Sequence, residues 1–97
     1  MEQLTFIYPA HDSVVARAHV GVVASGDLEV LLEPSSQQQS QVIVTTSVDG
    51  FGAVWKNVLD RFFSRFRGAV AIEINDFGAT PGLVMLRLEQ AAEAVRT

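Results

Sequence analysis

The 97-residue sequence predicts an α+β fold: a two-layer sandwich in which a mostly antiparallel sheet carries two helices on one face, in the order β-β-β-β-α-β-α. Short β-branched or alternating apolar runs, separated by turn residues, occupy most of the first half and return near residue 72. Two later segments repeat apolar residues at spacings of three and four, the period of an amphipathic helix. Residues 1–97 are expected to form a single domain, since a chain of this length supports one modest core.

The first three strands are indicated by β-prone runs. Residues Leu4 to Tyr8 form a short run, and a longer run rich in valine and alanine extends from Val14 to Ala24. The run from Leu28 to Leu32 follows after a short glycine-containing turn, which is a strong signal for a β-hairpin. A two-residue turn centred on Ser25–Gly26 or on Gly26–Asp27 places four side chains on one core face: Val23, Leu28, Val30 and Leu32.

A polar segment and a fourth strand precede the first helix. Ser35 to Gln41 is low in complexity and is predicted to be a mobile loop, whereas Val42 to Ser47 is β-branched and is predicted to be a strand. Asp49 is a candidate N-cap for the helix and Gly68 a candidate end. The helix itself is marked by an apolar stripe: Phe51, Val54, Trp55, Val58, Leu59, Phe62, Phe63 and Phe66.

The last strand and helix are indicated by a second change of period. Apolar residues alternate from Val70 to Asn75, which predicts a strand followed by a turn at residues 75–78. Thr80 and Pro81 then form a helix start, with threonine as the cap and proline at the first helical position. This helix is marked by Val84, Leu88, Ala91 and Val95.

Composition excludes several functional classes. The formal net charge is −4 and no basic run exists, so neither nucleic acid nor an anionic membrane is an expected partner. The absence of cysteine excludes disulfides and cysteine-based metal sites, and any thioester chemistry would need a thiol supplied on a cofactor. Residues 1–4 lack signal-peptide features and no apolar run reaches the length of a membrane span, so a cytoplasmic location is expected.

The main functional signal is a serine on the predicted hairpin turn. Ser25 is followed by Gly26, which gives room and permits a positive φ, and by Asp27, which favours a turn. A serine hydroxyl forms a stable phosphodiester when a transferase supplies an activated phosphate, and such an acceptor needs exposure, slim neighbours and a fixed backbone. Because the same tripeptide suits ordinary turns, composition alone leaves both an attachment site and a simple turn open.

Four segments resemble the acyl carrier protein (delta) subunit family of malonate decarboxylase. They occur in the family's order and span nearly the whole chain: Gly21–Leu31, Thr46–Trp55, Val58–Phe63 and Ile72–Gly82. The resemblance implies that Ser25 carries a covalent 2'-(5''-phosphoribosyl)-3'-dephospho-CoA group through a phosphodiester. It also implies a non-catalytic carrier whose pantetheine thiol presents acetyl and malonyl thioesters to acyltransferase and decarboxylase subunits. A dedicated holo-carrier synthase would load the serine.

A second serine and the nearby carboxylates leave alternatives open. Ser13 is a rival attachment site, since Asp12-Ser13-Val14 resembles the Asp-Ser-Leu of ordinary acyl carrier proteins, although it precedes a β-prone run instead of a helix. The carboxylates of Asp27, Glu29 and Glu33 either steer the chain toward basic partners or are ordinary solvated charges.

The remaining candidates favour structural roles. His11 and His19 lack further ligands at suitable spacing, so no metal site is predicted, and no catalytic triad is recognised, so no catalytic residue is predicted. Gly50-Phe51-Gly52 is a helix entry that could also help to pack an arm or a partner. Phe51 and Trp55 are core residues in the simplest interpretation and partner contacts in the other. The main alternative function is an unmodified interaction or regulatory domain, and a small enzyme is the least favoured.

Overall fold

The fold consists of strands along which burial mostly alternates and two helices that each carry an apolar stripe. The computed structural model describes residues 1–96. Within them the elements are β1 (Glu2–Pro9), β2 (Ala18–Gly21), β3 (Leu28–Pro34), β4 (Gln39–Thr46), α1 (Gly52–Phe63), β5 (Val70–Asp76) and α2 (Pro81–Val95). The predicted α+β class and the predicted order of elements are confirmed. No helix in this part of the chain is long and apolar enough to cross a membrane.

The five strands form one mixed sheet in the order β1-β4-β5-β3-β2. The pairs β1–β4, β3–β5 and β2–β3 are antiparallel, whereas β4 and β5 are parallel and are connected through α1. Parallel neighbours need such a crossover because a tight turn can join only antiparallel strands. Thr46 and Leu28 both pair with Asp76, so the loops at residues 22–27, 47–51 and 77–80 meet at one end of the sheet, here called the Ser25 end.

The core lies between one face of the sheet and both helices. Alternate residues of the three central strands are fully buried there, including Val30, Val44 and Ile74. The opposite face presents the intervening residues, such as Glu33 and Glu73, to solvent. The helices contribute the rest of the core: Trp55, Val58, Leu59, Phe62, Val84, Leu88, Ala91, Ala92 and Val95. The prediction that both helices cover one face is therefore confirmed.

A polar contact holds α1 against the edge strand β1. The Tyr8 ring stacks on Phe63 with 4.4 Å between ring centroids, and its hydroxyl donates a hydrogen bond to Asp60 at 2.7 Å. Burial, and then the hydrogen bond to Asp60, raise the pKa of Tyr8 well above its usual value. The Lys56 ammonium, followed by the Tyr8 hydroxyl, lowers the pKa of Asp60, which keeps that carboxylate charged at neutral pH.

The predicted tight hairpin is wrong in its register. Strand β2 begins at Ala18 and ends at Gly21, so residues 14–17 and 22–24 lie outside it. Gly21 has a φ of +82°, and the Leu28 carbonyl oxygen lies 2.0 Å from the position that a Cβ on Gly21 would occupy. A residue with a side chain cannot accept this approach, so the chain leaves the ladder here and makes a wide loop. Val23 is consequently 56% exposed and is not a core residue, although Leu28, Val30 and Leu32 are.

The loop predicted from Ser35 to Gln41 is shorter in the structure. Strand β4 begins at Gln39, and Ser40 is fully buried beside β5. Its hydroxyl donates to the Gly68 carbonyl at 2.9 Å and accepts from the Val70 N–H at 3.0 Å. These two bonds satisfy the hydroxyl, which explains how a serine from a polar segment is accommodated in the core.

The first helix is shorter than predicted, while the second starts as predicted. Helix α1 has Phe51 at its N-cap position instead of Asp49, and it ends at Phe63 before the last residue of the apolar stripe. Gly68 is no helix stop: it is buried, and a Cβ there would lie 2.5 Å from the Val14 side chain. The capping role of Thr80 is confirmed, since its hydroxyl accepts from the Leu83 N–H at 3.2 Å.

Candidate functional site

Ser25 lies at the second position of a four-residue turn. The Asp27 N–H closes the turn by donating to the Ala24 carbonyl at 3.0 Å, so Ser25 and Gly26 are its central residues, as in the first of the two predicted placements. Gly26 has a φ of +77°, the positive value that a type II β-turn requires at its third position. Among residues 1–96, apart from its two chain neighbours, no atom lies within 4 Å of the place where the Gly26 Cβ would be, and Ser25 is exposed. The hydroxyl is therefore open to a reagent approaching from solvent.

The turn is fastened to the loop that precedes α2. The Gly26 N–H donates to the Phe77 carbonyl at 2.7 Å, and the Phe77 N–H donates to the Asp27 carbonyl at 2.9 Å. Buried Asp76 in turn fixes that loop, because its carboxylate accepts from the Ala79 N–H at 3.0 Å and from the Thr46 hydroxyl at 2.8 Å. Four hydrogen bonds thus connect the Ser25 turn to the ends of β4 and β5.

Asp27 also joins the turn to the middle of α2. The Arg87 guanidinium donates through Nε at 3.3 Å and Nη2 at 3.1 Å to the two carboxylate oxygens, one of which also accepts from the Leu28 N–H at 2.7 Å. The side chains of Arg87 and Asp27 are only 24% and 18% exposed. Hydrogen bonding by Arg87, and then by the Leu28 N–H, lowers the pKa of Asp27. A two-point ion pair of this kind fixes orientation as well as distance.

This clamp predicts a specific pH dependence. The pKa of Asp27 in the folded chain lies below its unfolded value of about 3.9, so the clamp contributes fully above that pH and is lost as pH falls through the folded pKa. Between pH 6 and pH 2, wild-type protein is expected to lose more thermal stability than Asp27→Asn. The measurement is the unfolding temperature by circular dichroism, with Asp49→Asn as the matched control at an exposed site. Equal acid sensitivity of Asp27→Asn and wild type would contradict the role of the clamp.

The carboxylates of Asp27, Glu29 and Glu33, the possible steering charges, all contact other side chains of this chain. Besides the Asp27–Arg87 pair, Glu29 lies 3.0 Å from the His19 ring and accepts from the Asn75 amide at 2.9 Å. Glu33 pairs with Arg17 at the far end of β3. These contacts support ordinary structural roles for the three carboxylates and for His19.

Ser13 lies at the opposite end of the sheet from Ser25. It is exposed and lies beside Arg65 and Arg67, in a segment whose neighbour Asp12 forms an isolated bridge with Gly68. In this structure Ser13 precedes strand β2 and does not begin a helix. The two candidate serines therefore lie in different surroundings at opposite ends of the sheet.

A hydrophobic cleft adjoins the Ser25 turn, between the N-terminal ends of the two helices. Its volume is about 280 Å³, and Trp55 and Val84 form part of its wall while Val48 and Phe51 lie at its exposed rim. Gly78, in the loop that is hydrogen-bonded to the turn, also lines it. The sequence indicates Phe51 and Trp55 as possible partner contacts. It gives no sign that α2 also lines this cleft, because that depends on how the two helices pack together.

Fold and site together define a class: a small two-layer α+β domain that presents a serine on a clamped, exposed turn. Residues 15–95 match the family model described as malonate decarboxylase delta subunit (MdcD). The chain belongs to this family of acyl carrier proteins. The family expected from the sequence is thereby confirmed.

Individual relatives are similar over almost their full length. The malonate decarboxylase acyl carrier protein of Pseudomonas savastanoi pv. phaseolicola is 51% identical over 96 residues, covering 98% of this chain and 97% of the relative. That of Pseudomonas paraeruginosa is 52% identical over 94 residues, covering 96% and 95%. A chain in the crystal structure of a Pseudomonas malonate decarboxylase hetero-tetramer in complex with malonate has 47% identity and a TM-score of 0.94, covering 99% of this chain and all of that one.

Proposed function

We propose that this chain serves as the acyl carrier of a malonate decarboxylase and that Ser25 is the attachment point of its phosphoribosyl-dephospho-CoA arm. The observation that carries the proposal is the turn itself. Ser25 is exposed, its neighbour Gly26 leaves open space, and the backbone on both sides is held by hydrogen bonds. Open approach and a fixed backbone are the two properties that an enzyme-modified hydroxyl needs.

The residues around Ser25 are compatible with a large phosphodiester-linked group. When bound, the arm supplies a thiol for acetyl and malonyl thioesters, which this cysteine-free chain cannot supply itself. Gly26 and Asp27 provide the turn, and Arg87 clamps Asp27 so that the turn keeps one orientation relative to α2. The chain's own contribution is then to hold and present the arm, and the bond-making residues belong to other subunits.

The proposed partners follow from the relatives. A chain of the same fold and 47% identity comes from a malonate decarboxylase hetero-tetramer, which supports assembly of this chain with acyltransferase and decarboxylase subunits. Loading by a holo-carrier synthase and a cytoplasmic location complete the proposal. Nucleic acid and membranes are not proposed as partners, in keeping with the acidic composition.

The test is an intact mass of the chain produced alone and together with the synthase, followed by peptide mapping. A mass gain equal to the phosphoribosyl-dephospho-CoA group, mapped to residue 25, is the expected result. The same gain mapped to Ser13 would overturn the site. No gain, with a synthase shown to be active on another carrier, would overturn the function and favour an unmodified interaction domain.

A further inference from the structure

We propose that the apolar cleft beside the Ser25 turn binds the acyl end of the arm and shields an acetyl thioester from water. The inference rests on the proposed function, because the occupant is the group attached to Ser25. It assigns a binding role to residues of α1 and α2 that lie outside the attachment turn, chiefly Val54, Trp55 and Val84.

Proximity is the first argument for this occupant. The turn and the cleft share one loop: Phe77 is hydrogen-bonded to Gly26, and the next residue, Gly78, lines the cleft. The Gly26 nitrogen lies 4.0 Å from the position that a Cβ on Gly78 would take. Gly78, which has no side chain, therefore lies both in the cleft wall and beside the turn. A flexible pantetheine-type arm that starts at Ser25 therefore reaches the cleft by folding back over a single loop.

The size and chemistry of the cleft are the second argument. Its volume of about 280 Å³ is close to the lower end of small-molecule sites, roughly 300 Å³. Its walls are mostly valine, proline and aromatic carbon, and none of the lining residues within 1–96 is charged. An uncharged acetyl thioester suits such a lining, whereas a malonyl thioester would have to bury a carboxylate without a partner. The cleft is thus expected to distinguish the two acyl states.

Exposed apolar surface at the mouth of the cleft is the third argument. Val48, Phe51 and Val54 line the cleft and are 39%, 49% and 37% exposed. Clustered exposed apolar side chains mark surfaces that are covered in function. An arm attached at the neighbouring turn would always be present near the cleft at high local concentration, so it would compete well for binding there.

Trp55 gives a direct readout, because it lines the cleft and is the single tryptophan of the sequence. The experiment compares four forms of the full chain: unmodified, loaded with the free thiol, acetylated and malonylated. Mass spectrometry first establishes full loading on residue 25. The acetylated form is expected to shift the Trp55 emission and the amide resonances of Val54 and Val84 relative to the other forms.

Each outcome separates the two proposals. Absence of loading would contradict the proposed function before any fluorescence is read. Full loading with identical Trp55 emission and resonances in the acetylated and unmodified forms would overturn the cleft inference and leave the carrier function intact. Equal shifts in acetylated and malonylated forms would overturn the selectivity for the uncharged group. Shifts that occur only on addition of a partner subunit, whatever the acyl state, would assign the cleft to the partner instead.

A matched pair of variants tests the shielding. Ala79→Leu fills the cleft, whereas Ala94→Leu makes the same change at an exposed position on the far end of α2. If the cleft holds the acetyl group nine-tenths of the time, hydrolysis of the thioester is slowed about tenfold, since only the free fraction reacts. Ala79→Leu is therefore expected to hydrolyse about tenfold faster than wild type, and Ala94→Leu at the wild-type rate. A wild-type rate in a folded Ala79→Leu protein with altered Trp55 emission would overturn the proposal.

Discussion

Ser25→Ala is expected to abolish covalent loading by the synthase while leaving the fold intact. The substitution removes the acceptor oxygen, and an alanine satisfies the same backbone geometry at this exposed turn position. Within residues 1–96, no hydrogen bond that holds the turn uses the Ser25 side chain, since these bonds come from the backbone of Gly26 and from Asp27. Loading is read by intact mass and folding by thermal unfolding, with an expected stability change within about 0.5 kcal/mol.

Ser13→Ala is the matched control for this prediction. It removes another exposed serine hydroxyl, at the opposite end of the sheet, and is expected to load as wild type does. Retained loading in Ser25→Ala, with loss in Ser13→Ala, would transfer the attachment site to residue 13. In a reconstituted decarboxylase, Ser25→Ala should also eliminate turnover, and this loss should persist at any concentration of the variant because no thiol is present.

Phe62→Ala is expected to destabilise the chain by about 3–5 kcal/mol, the cost of deleting a large buried aromatic ring. Phe62 is 1% exposed and is the largest fully buried side chain in residues 1–96. Its ring stacks on Phe66 at 5.2 Å and meets Phe63 edge-on at 5.0 Å, so its removal also loosens the packing of α1 against the sheet. Since small domains have only about 5–15 kcal/mol of stability in total, the variant should be close to unfolding at physiological temperature.

The control for this prediction is Phe51→Ala, which removes the same ring from a site that is 49% exposed. Its expected cost is about 1 kcal/mol or less, because much of that ring already lies in water. Both costs are measured by urea unfolding. A cost below about 1 kcal/mol for Phe62→Ala would show that the cavity collapses and that the aromatic cluster is not central to the core.

Features with local signals could be predicted from the sequence. The second helix is an example, because Thr80, Pro81 and the following apolar period lie within a few residues of one another. The alternation in β3 and β5 likewise identifies their buried residues without any knowledge of neighbouring strands. The family resemblance and the turn position of Ser25 also follow from contiguous segments.

The errors arise where a distant residue decides the local structure. Gly21 leaves the β2 ladder because the Leu28 carbonyl approaches it, and valines at 22 and 23 give no sign of this. Ser40 can be buried because its hydroxyl forms hydrogen bonds with the Gly68 carbonyl and the Val70 N–H. The clamp on the turn joins two residues 60 positions apart, Asp27 and Arg87. None of these contacts changes the periodicity of the segment in which it occurs, so pattern analysis cannot detect it.

The clamped turn has a consequence for how a carrier of this kind would search for its enzymes. Because Gly26 and Asp27 are hydrogen-bonded to the body of the domain, an arm attached at Ser25 would start from a fixed pivot, and all of its reach would come from the length of the arm. The catalytic centres that share the arm must then lie within a single sphere centred on that pivot. Arg87→Ala would remove the ion pair to Asp27 while leaving the backbone bonds to Phe77, so it would loosen the pivot, widen the volume that the thiol samples and lower the thiol concentration at every centre.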